Sequence, residues 1–232
     1  MKKTSDSFFD GRLQIDQFEN GYRFSIDAVL LSNFVEAKSG DRILDLGTGC
    51  GVISLILAHH YPNINIYGVE IQKDLAHLAI QNVNKNSFEN RIKIFNEDFK
   101  ILKSNSFETP FNIVVCNPPY YRAKSGRINP NNQKAIARHE IHADIDEIII
   151  TARRMLQNFG QFNVIYPCER LIDLISKMRK YNIEPKKITF VHSNENSIAK
   201  LVLVQGIKSG KANCQIEPPV FIYDLEGNKI YK

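Results

Sequence analysis

Arg42-Ile43-Leu44-Asp45-Leu46-Gly47-Thr48-Gly49-Cys50-Gly51-Val52-Ile53-Ser54-Leu55-Ile56-Leu57-Ala58 is the stretch that decides the fold. Its first five residues are an apolar run carrying one acid. Three glycines in alternate positions break the run, and a second apolar run long enough for a helix follows. A short apolar run bounded by turn residues reads as a buried strand, and the longer one as a helix. Strand, glycine turn and helix form the opening unit of a Rossmann-like α/β sheet, in which glycines let the backbone approach a cofactor. A dinucleotide fingerprint would read G-x-G-x-x-G; here the third glycine comes one residue early and Val52 fills its place. Asp45 lies just before the glycines, where a pyrophosphate at a helix N-terminus would disfavour it and a cation would favour it. S-adenosylmethionine carries a sulfonium and an α-ammonium, so Asp45 with Gly47 and Gly49 suits that cofactor better than NAD.

Further polar residues fall at the ends of the next apolar runs. Asn65–Val69 reads as the second strand and ends in Glu70, 25 residues after Asp45. A carboxylate there can accept hydrogens from both ribose hydroxyls. Ile92–Phe95 reads as the third strand and leads to Asp98, an acceptor for an adenine amine, with Ile71 and Phe99 available to line the adenine faces. Phe111–Cys116 reads as the fourth, followed at once by Asn117-Pro118-Pro119-Tyr120. The prolines have no N–H, so this turn is rich in acceptors and poor in donors. The Asn117 side-chain oxygen adds an acceptor and Tyr120 a flat ring. Two acceptors beside an aromatic platform suit a planar –NH₂ group, whose hydrogens they can take while its lone pair faces an electrophile.

Helices are expected over Ile26–Glu36, Val52–His60, Lys73–Asn86, Asp144–Gln157 and Glu169–Tyr181. A fifth strand is expected over Gln161–Tyr166. The pattern then changes: Lys187–Val191 and Lys200–Val204 are strands with only the polar loop His192–Ala199 between them, an antiparallel hairpin. The fold class is therefore α/β, a mostly parallel Rossmann-like sheet closed by an antiparallel C-terminal hairpin. One domain is expected, with residues 1–40 as an N-terminal segment holding one helix, 41–206 as the core and 207–232 as a polar tail.

Composition sets limits. The 232 residues are 43% hydrophobic, enough for one good core. No apolar stretch approaches the ~20 residues of a membrane helix, and Met1-Lys2-Lys3 leads into polar residues without the apolar run of a signal peptide. Cys50, Cys116, Cys168 and Cys214 are scattered, which predicts reduced thiols, no metal site and a cytoplasmic protein. The net charge of +5 is modest for a nucleic-acid binder, so its distribution matters more.

With these residues in view, the chain resembles the class I S-adenosylmethionine-dependent methyltransferases from about Asp41 to Gly206. Within them Asn-Pro-Pro-Tyr marks enzymes that methylate exocyclic or amide nitrogens. The nearer likeness is to the bacterial tRNA adenine-N6 methyltransferases that act on the adenine beside the valine tRNA anticodon. It rests on Gly21–Leu31, Asp45–Gly51, Asn117–Tyr121 and Ala137-Arg138-His139-Glu140. The resemblance implies cofactor contacts at Asp45, Gly47, Glu70 and Asp98, a contact at Asn117 where cofactor and amine meet, and catalysis by Asn117 and Tyr120 with Pro118 and Pro119 between them. Residues 121–143 lack a helical or strand period and are strongly basic. Tyr121, Arg122, Lys124, Arg127, Lys134 and Arg138 pair stacking and phosphate-binding groups, as RNA contact requires; the other reading is a lid over the cofactor. Two rival functions stay open: guanine-N2 methylation of ribosomal RNA, and an inactive methyltransferase fold that binds RNA.

Overall fold

The alternation of short apolar runs and helices yields a nine-stranded sheet in the computed structural model, which describes residues 2–19, 25–118 and 144–230. The strands are β3 (Arg42–Leu46), β4 (Asn65–Val69), β5 (Ile92–Phe95), β6 (Phe111–Cys116), β7 (Leu156–Pro167), β8 (Ile183–His192), β9 (Ala199–Lys208), β10 (Gln215–Ile216) and β11 (Val220–Phe221). Before them come β1 (Lys3–Phe8) and β2 (Leu13–Phe18), a separate two-stranded hairpin. The helices are α1 (Ile26–Phe34), α2 (Val52–His60), α3 (Lys73–Lys85), α4 (Ile145–Met155) and α5 (Leu171–Lys180).

β5, β4, β3, β6 and β7 lie side by side in that order and run parallel, while β9 pairs antiparallel with both β7 and β8. From β3 the chain builds outward through β4 and β5, then returns to the other side of β3 with β6 and β7. This reversal opens a crevice at the carboxyl ends of β3 and β6, where open α/β sheets hold their ligands. Leu46 pairs with Cys116, so the glycine turn and Asn117 leave neighbouring strands at the same level.

Both faces of the parallel strands are covered, which is why they read as nearly continuous apolar runs. Ile43, Ile113 and Val115 pack with Leu55, Ile56, Leu78 and Val83 on the face of α1, α2 and α3. Leu44, Val114 and Phe162 pack with Ile148, Ile149, Met155, Leu174 and Met178 on the face of α4 and α5. α4 starts with a reciprocal cap: Asp144 accepts from the Asp146 N–H, and Glu147 accepts from the Asp144 N–H.

Several boundaries differ from expectation. α1 stops at Phe34, α3 at Lys85, α4 at Met155 and α5 at Lys180, while β7 begins at Leu156, β8 and β9 run ten residues each, and α5 starts at Leu171. Helix period alone does not register that Leu156 is already paired with Phe111. The N-terminal segment, expected to hold one helix, holds α1 and the β1–β2 hairpin besides. Leu13 and Ile15 are fully buried and alternate with Gln14 and Asp16, a half-buried strand. The tail contributes β10 and β11, which pair parallel with β8 and cover its free edge. Among the described residues no helix is long and apolar enough to cross a membrane.

Candidate active site

The glycine turn leaves β3 with Gly47 and Gly49 at φ 72° and 60°, the left-handed region that favours glycine. A Cβ built on either would meet nothing within 4 Å, so both face open space at the carboxyl end of the sheet. A large group can therefore approach the backbone there.

Asp45 lies beneath the turn, fully buried. Its Oδ2 accepts from Thr48 Oγ1 at 2.7 Å and Ser54 Oγ at 2.8 Å, while Oδ1 is buried with no hydrogen-bond partner among the described residues. Burial lifts its pKa to about 6; the Thr48 and Ser54 hydroxyls oppose that rise and the nearby Glu70 charge adds to it. Asp45 thus sits in the sheet interior and anchors both the turn and the start of α2. Thr48 and Ser54 were not singled out in the sequence, although a serine inside an otherwise apolar helix is a visible signal.

Glu70 closes β4 and is only 5% exposed. Its Oε2 accepts from the Gly49 N–H at 2.9 Å and its Oε1 from the Gln72 N–H at 2.9 Å. This expected ribose acid therefore also holds the glycine turn, rather than facing solvent. Burial pushes its carboxyl pKa up, with those N–H groups opposing. Gln72 Nε2 also reaches Oε1, at 3.5 Å, so Oε2 is the oxygen that keeps a further lone pair for a ligand. Asn96, at the end of β5, was missed: its Nδ2 donates to the carbonyls of Glu70 (2.8 Å) and Ile71 (3.0 Å), fixing the lip of the crevice. Ile71 stands 46% exposed there.

Asp98 follows β5 and caps a short 3₁₀ turn over Phe99–Ile101, accepting from the Lys100 N–H at 2.9 Å, with the Lys100 ammonium 3.8 Å from its other oxygen. Phe99 is partly buried against the α4 side of the core, so it has less ring free than expected. Asn117 is half-buried at the end of β6 and Pro118 is buried. Pro119, Tyr120, Tyr121, Arg122, Lys124, Arg127, Lys134 and Arg138 lie outside the described residues.

The donor set suits a cation with hydroxyls. Asp45 offers an unpartnered buried oxygen, Glu70 Oε2 offers a spare lone pair, and burial and neutral donors, not a cation, dominate the setting of both acids. A pyrophosphate would meet two carboxylates.

Residues 25–180 match the family model described as the methyltransferase small domain. The chain belongs to this family. Its fold is that of the class I methyltransferases, and it transfers methyl groups with S-adenosylmethionine as donor. Among curated proteins it is similar to the tRNA1(Val) (adenine(37)-N6)-methyltransferase of Phocaeicola vulgatus, at 34% identity over 178 residues, 77% of this chain and 74% of that one. The protein of the same name from Dyadobacter fermentans is 27% identical over 202 residues, covering 87% and 82%. Among solved structures, a predicted O-methyltransferase from Agrobacterium tumefaciens superposes with a TM-score of 0.69 at 22% identity, covering 86% and 88%, a likeness of fold alone.

Proposed function

We propose that this chain methylates the exocyclic N6 of an adenine in tRNA, beside the anticodon. The observation that carries the reading is the acceptor-rich Asn117-Pro118 turn, which leaves β6 at the level where the glycine turn leaves the adjacent β3. The names of the curated relatives support adenine as the base and tRNA as its carrier.

When bound, S-adenosylmethionine supplies an electrophilic methyl on its sulfonium. Asp45 Oδ1 would receive the ammonium of the methionine part, Glu70 the ribose hydroxyls and Asp98 the adenine amine. The target base stacks on Tyr120 after leaving its own stack, at a cost of a few kcal/mol. Its amine gives one hydrogen to the Asn117 side-chain oxygen and one to the Pro118 carbonyl, which opposes delocalisation of the lone pair into the ring. Alignment of a bound nucleophile contributes ~7–11 kcal/mol at best, so positioning carries most of the catalysis. The extra proton leaves to water after transfer, and no strong base is needed. Arg122, Lys124, Arg127, Lys134 and Arg138 pair with phosphates around the target, with Tyr121 as a second stacking ring.

Incubation with unmodified total tRNA and labelled S-adenosylmethionine, followed by digestion to nucleosides, tests this. Label in N6-methyladenosine is expected. Label in N2-methylguanosine, or none with tRNA and some with ribosomal RNA, would overturn it.

A further inference from the structure

The N-terminal hairpin lies outside the residues matched by the family model, yet one buried amide bonds to both it and the cofactor turn. Asn82, on α3, is fully buried. Its Oδ1 accepts from the Asp16 N–H at 2.9 Å, and its Nδ2 donates to the Asp16 carbonyl at 3.0 Å and to the Cys50 carbonyl at 2.9 Å. Both donors and the acceptor are used, which leaves only one sensible orientation for the amide.

The Cys50 carbonyl belongs to the last peptide of the glycine turn. The other side of that peptide, the Gly51 N–H, donates to Thr48 O at 2.9 Å, so the peptide plane is held from both sides. Gly51 is the N-cap of α2 at φ 90°, and a Cβ on it would sit 3.4 Å from Ala79 Cβ, one turn before Asn82 on α3. α3 therefore sets the turn by two contacts, close packing at Ala79 and a hydrogen bond at Asn82. The same helix begins right after Gln72, whose N–H holds the Glu70 carboxylate, and Glu70 in turn takes the Gly49 N–H.

Among the described residues, Asn86, one turn along α3, makes side-chain hydrogen bonds only to the hairpin and its own helix. It accepts from the Gln14 N–H at 2.9 Å and donates to the Gln14 carbonyl at 2.7 Å and to Asn82 O. Together Asn82 and Asn86 present β2 with the donor and acceptor pattern of a neighbouring strand. Lys85 adds an ion pair to Asp16 at 2.7 Å.

We infer that Asn82 is a positioning residue for S-adenosylmethionine, and that through it the N-terminal hairpin braces the glycine turn in its cofactor-binding shape. Asn82 touches no substrate; it acts by fixing the Cys50–Gly51 peptide, and the inference rests on the cofactor site described above.

The test compares Asn82→Ala with Asn86→Ala in the full chain, by calorimetric S-adenosylmethionine binding, thermal unfolding and steady-state kinetics. Both variants lose side-chain bonds to β2, so both melt lower. Only Asn82→Ala loses the bond to the turn. Its Kd and KM for S-adenosylmethionine rise about tenfold, as loss of one buried hydrogen bond predicts, with kcat little changed. Asn86→Ala keeps both constants within about twofold. Where Asn82→Ala is too unstable to purify, Asn82→Ser, which cannot reach Asp16 and Cys50 together, is read in the same way. Equal weakening in both variants would reduce Asn82 to general stability, and unchanged affinity in the Asn82 variants would overturn the brace outright. A wild-type chain that binds no S-adenosylmethionine would instead sink the cofactor site itself and the brace with it.

Discussion

Asp45→Asn separates what the buried acid does for the fold from what it does for the cofactor. In the folded chain burial raises the Asp45 pKa from 3.8 to about 6. A folded pKa above the unfolded one means that the folded state holds its proton more tightly. The contribution of Asp45 to stability is then fully present below about pH 4 and is lost as pH rises through 6. Two pH units correspond to about 3 kcal/mol, of which about 2 kcal/mol is lost between pH 4 and pH 7. Asparagine keeps the shape and an oxygen for Thr48 and Ser54 but does not titrate. Its Nδ2 replaces the unpartnered Oδ1 and costs a constant amount at every pH. The expected result in urea denaturation is therefore a double difference. From pH 4 to pH 7 the wild type loses about 2 kcal/mol relative to Asp45→Asn, whatever their absolute order. Cofactor binding moves the other way: the sulfonium and ammonium favour ionised Asp45, so wild-type affinity climbs with pH up to about 6 and then levels, while Asp45→Asn binds weakly throughout. If the two proteins show parallel stability profiles across pH 4–7, the Thr48 and Ser54 bonds keep Asp45 ionised in the fold and the reasoning fails.

Glu70→Ala should lower both S-adenosylmethionine affinity and stability, because it removes ribose acceptors worth ~1.5–3 kcal/mol each and orphans the Gly49 and Gln72 N–H groups; calorimetry and urea titration read the two, and loss of affinity with unchanged stability would refute the knitted geometry. Asn117→Ala should abolish transfer while leaving cofactor and RNA binding nearly intact, and single-turnover methylation at saturating RNA decides it. Replacing Arg122, Lys124 and Arg127 together by Ala should act through RNA affinity and flatten the salt dependence of binding by roughly two units of log–log slope for three phosphate contacts. A wild-type slope in that triple variant would make the segment a lid.

The parallel half of the fold was legible because strands buried on both faces leave a strong mark. Arg42–Leu46, Asn65–Val69, Ile92–Phe95 and Phe111–Cys116 match the observed strands at both ends. β1 left no such mark, since Lys3-Thr4-Ser5-Asp6-Ser7-Phe8 has one half-buried face and is strand only by pairing with β2. The candidate site showed itself in the sequence through its charged residues and not through their supports. Asp45, Glu70 and Asp98 declared themselves by sitting at strand ends. Thr48, Ser54, Asn82 and Asn96 work by hydrogen bonds across separations of 3 to 32 residues, and an isolated polar residue does not reveal its distant partner. The same limit explains Glu70, whose place at the strand end was foreseen but whose burial was not: the Gly49 N–H that covers it comes from a turn 21 residues earlier.

Electrostatics gives the arrangement its selectivity. α2 begins directly after the glycine turn, and the positive dipole end of a helix by itself invites phosphate. Asp45 anchors that N-terminus through Ser54, and Glu70 takes the Gly49 N–H directly. The two carboxylates thus use up donors that a pyrophosphate would need and place negative charge where it would sit. Neither acid is comfortable there, as burial lifts both pKa values and the Glu70 charge lifts that of Asp45 further. A bound cation relieves this strain, so the turn favours a sulfonium cofactor by making its own empty state electrostatically costly. The inference predicts that S-adenosylhomocysteine, which lacks the sulfonium charge but keeps the ribose and adenine, loses affinity relative to S-adenosylmethionine above pH 6 more than below it. Competitive calorimetry at pH 5 and pH 8 measures that ratio, and a ratio independent of pH would show that the two acids answer to the hydroxyls and the ammonium alone.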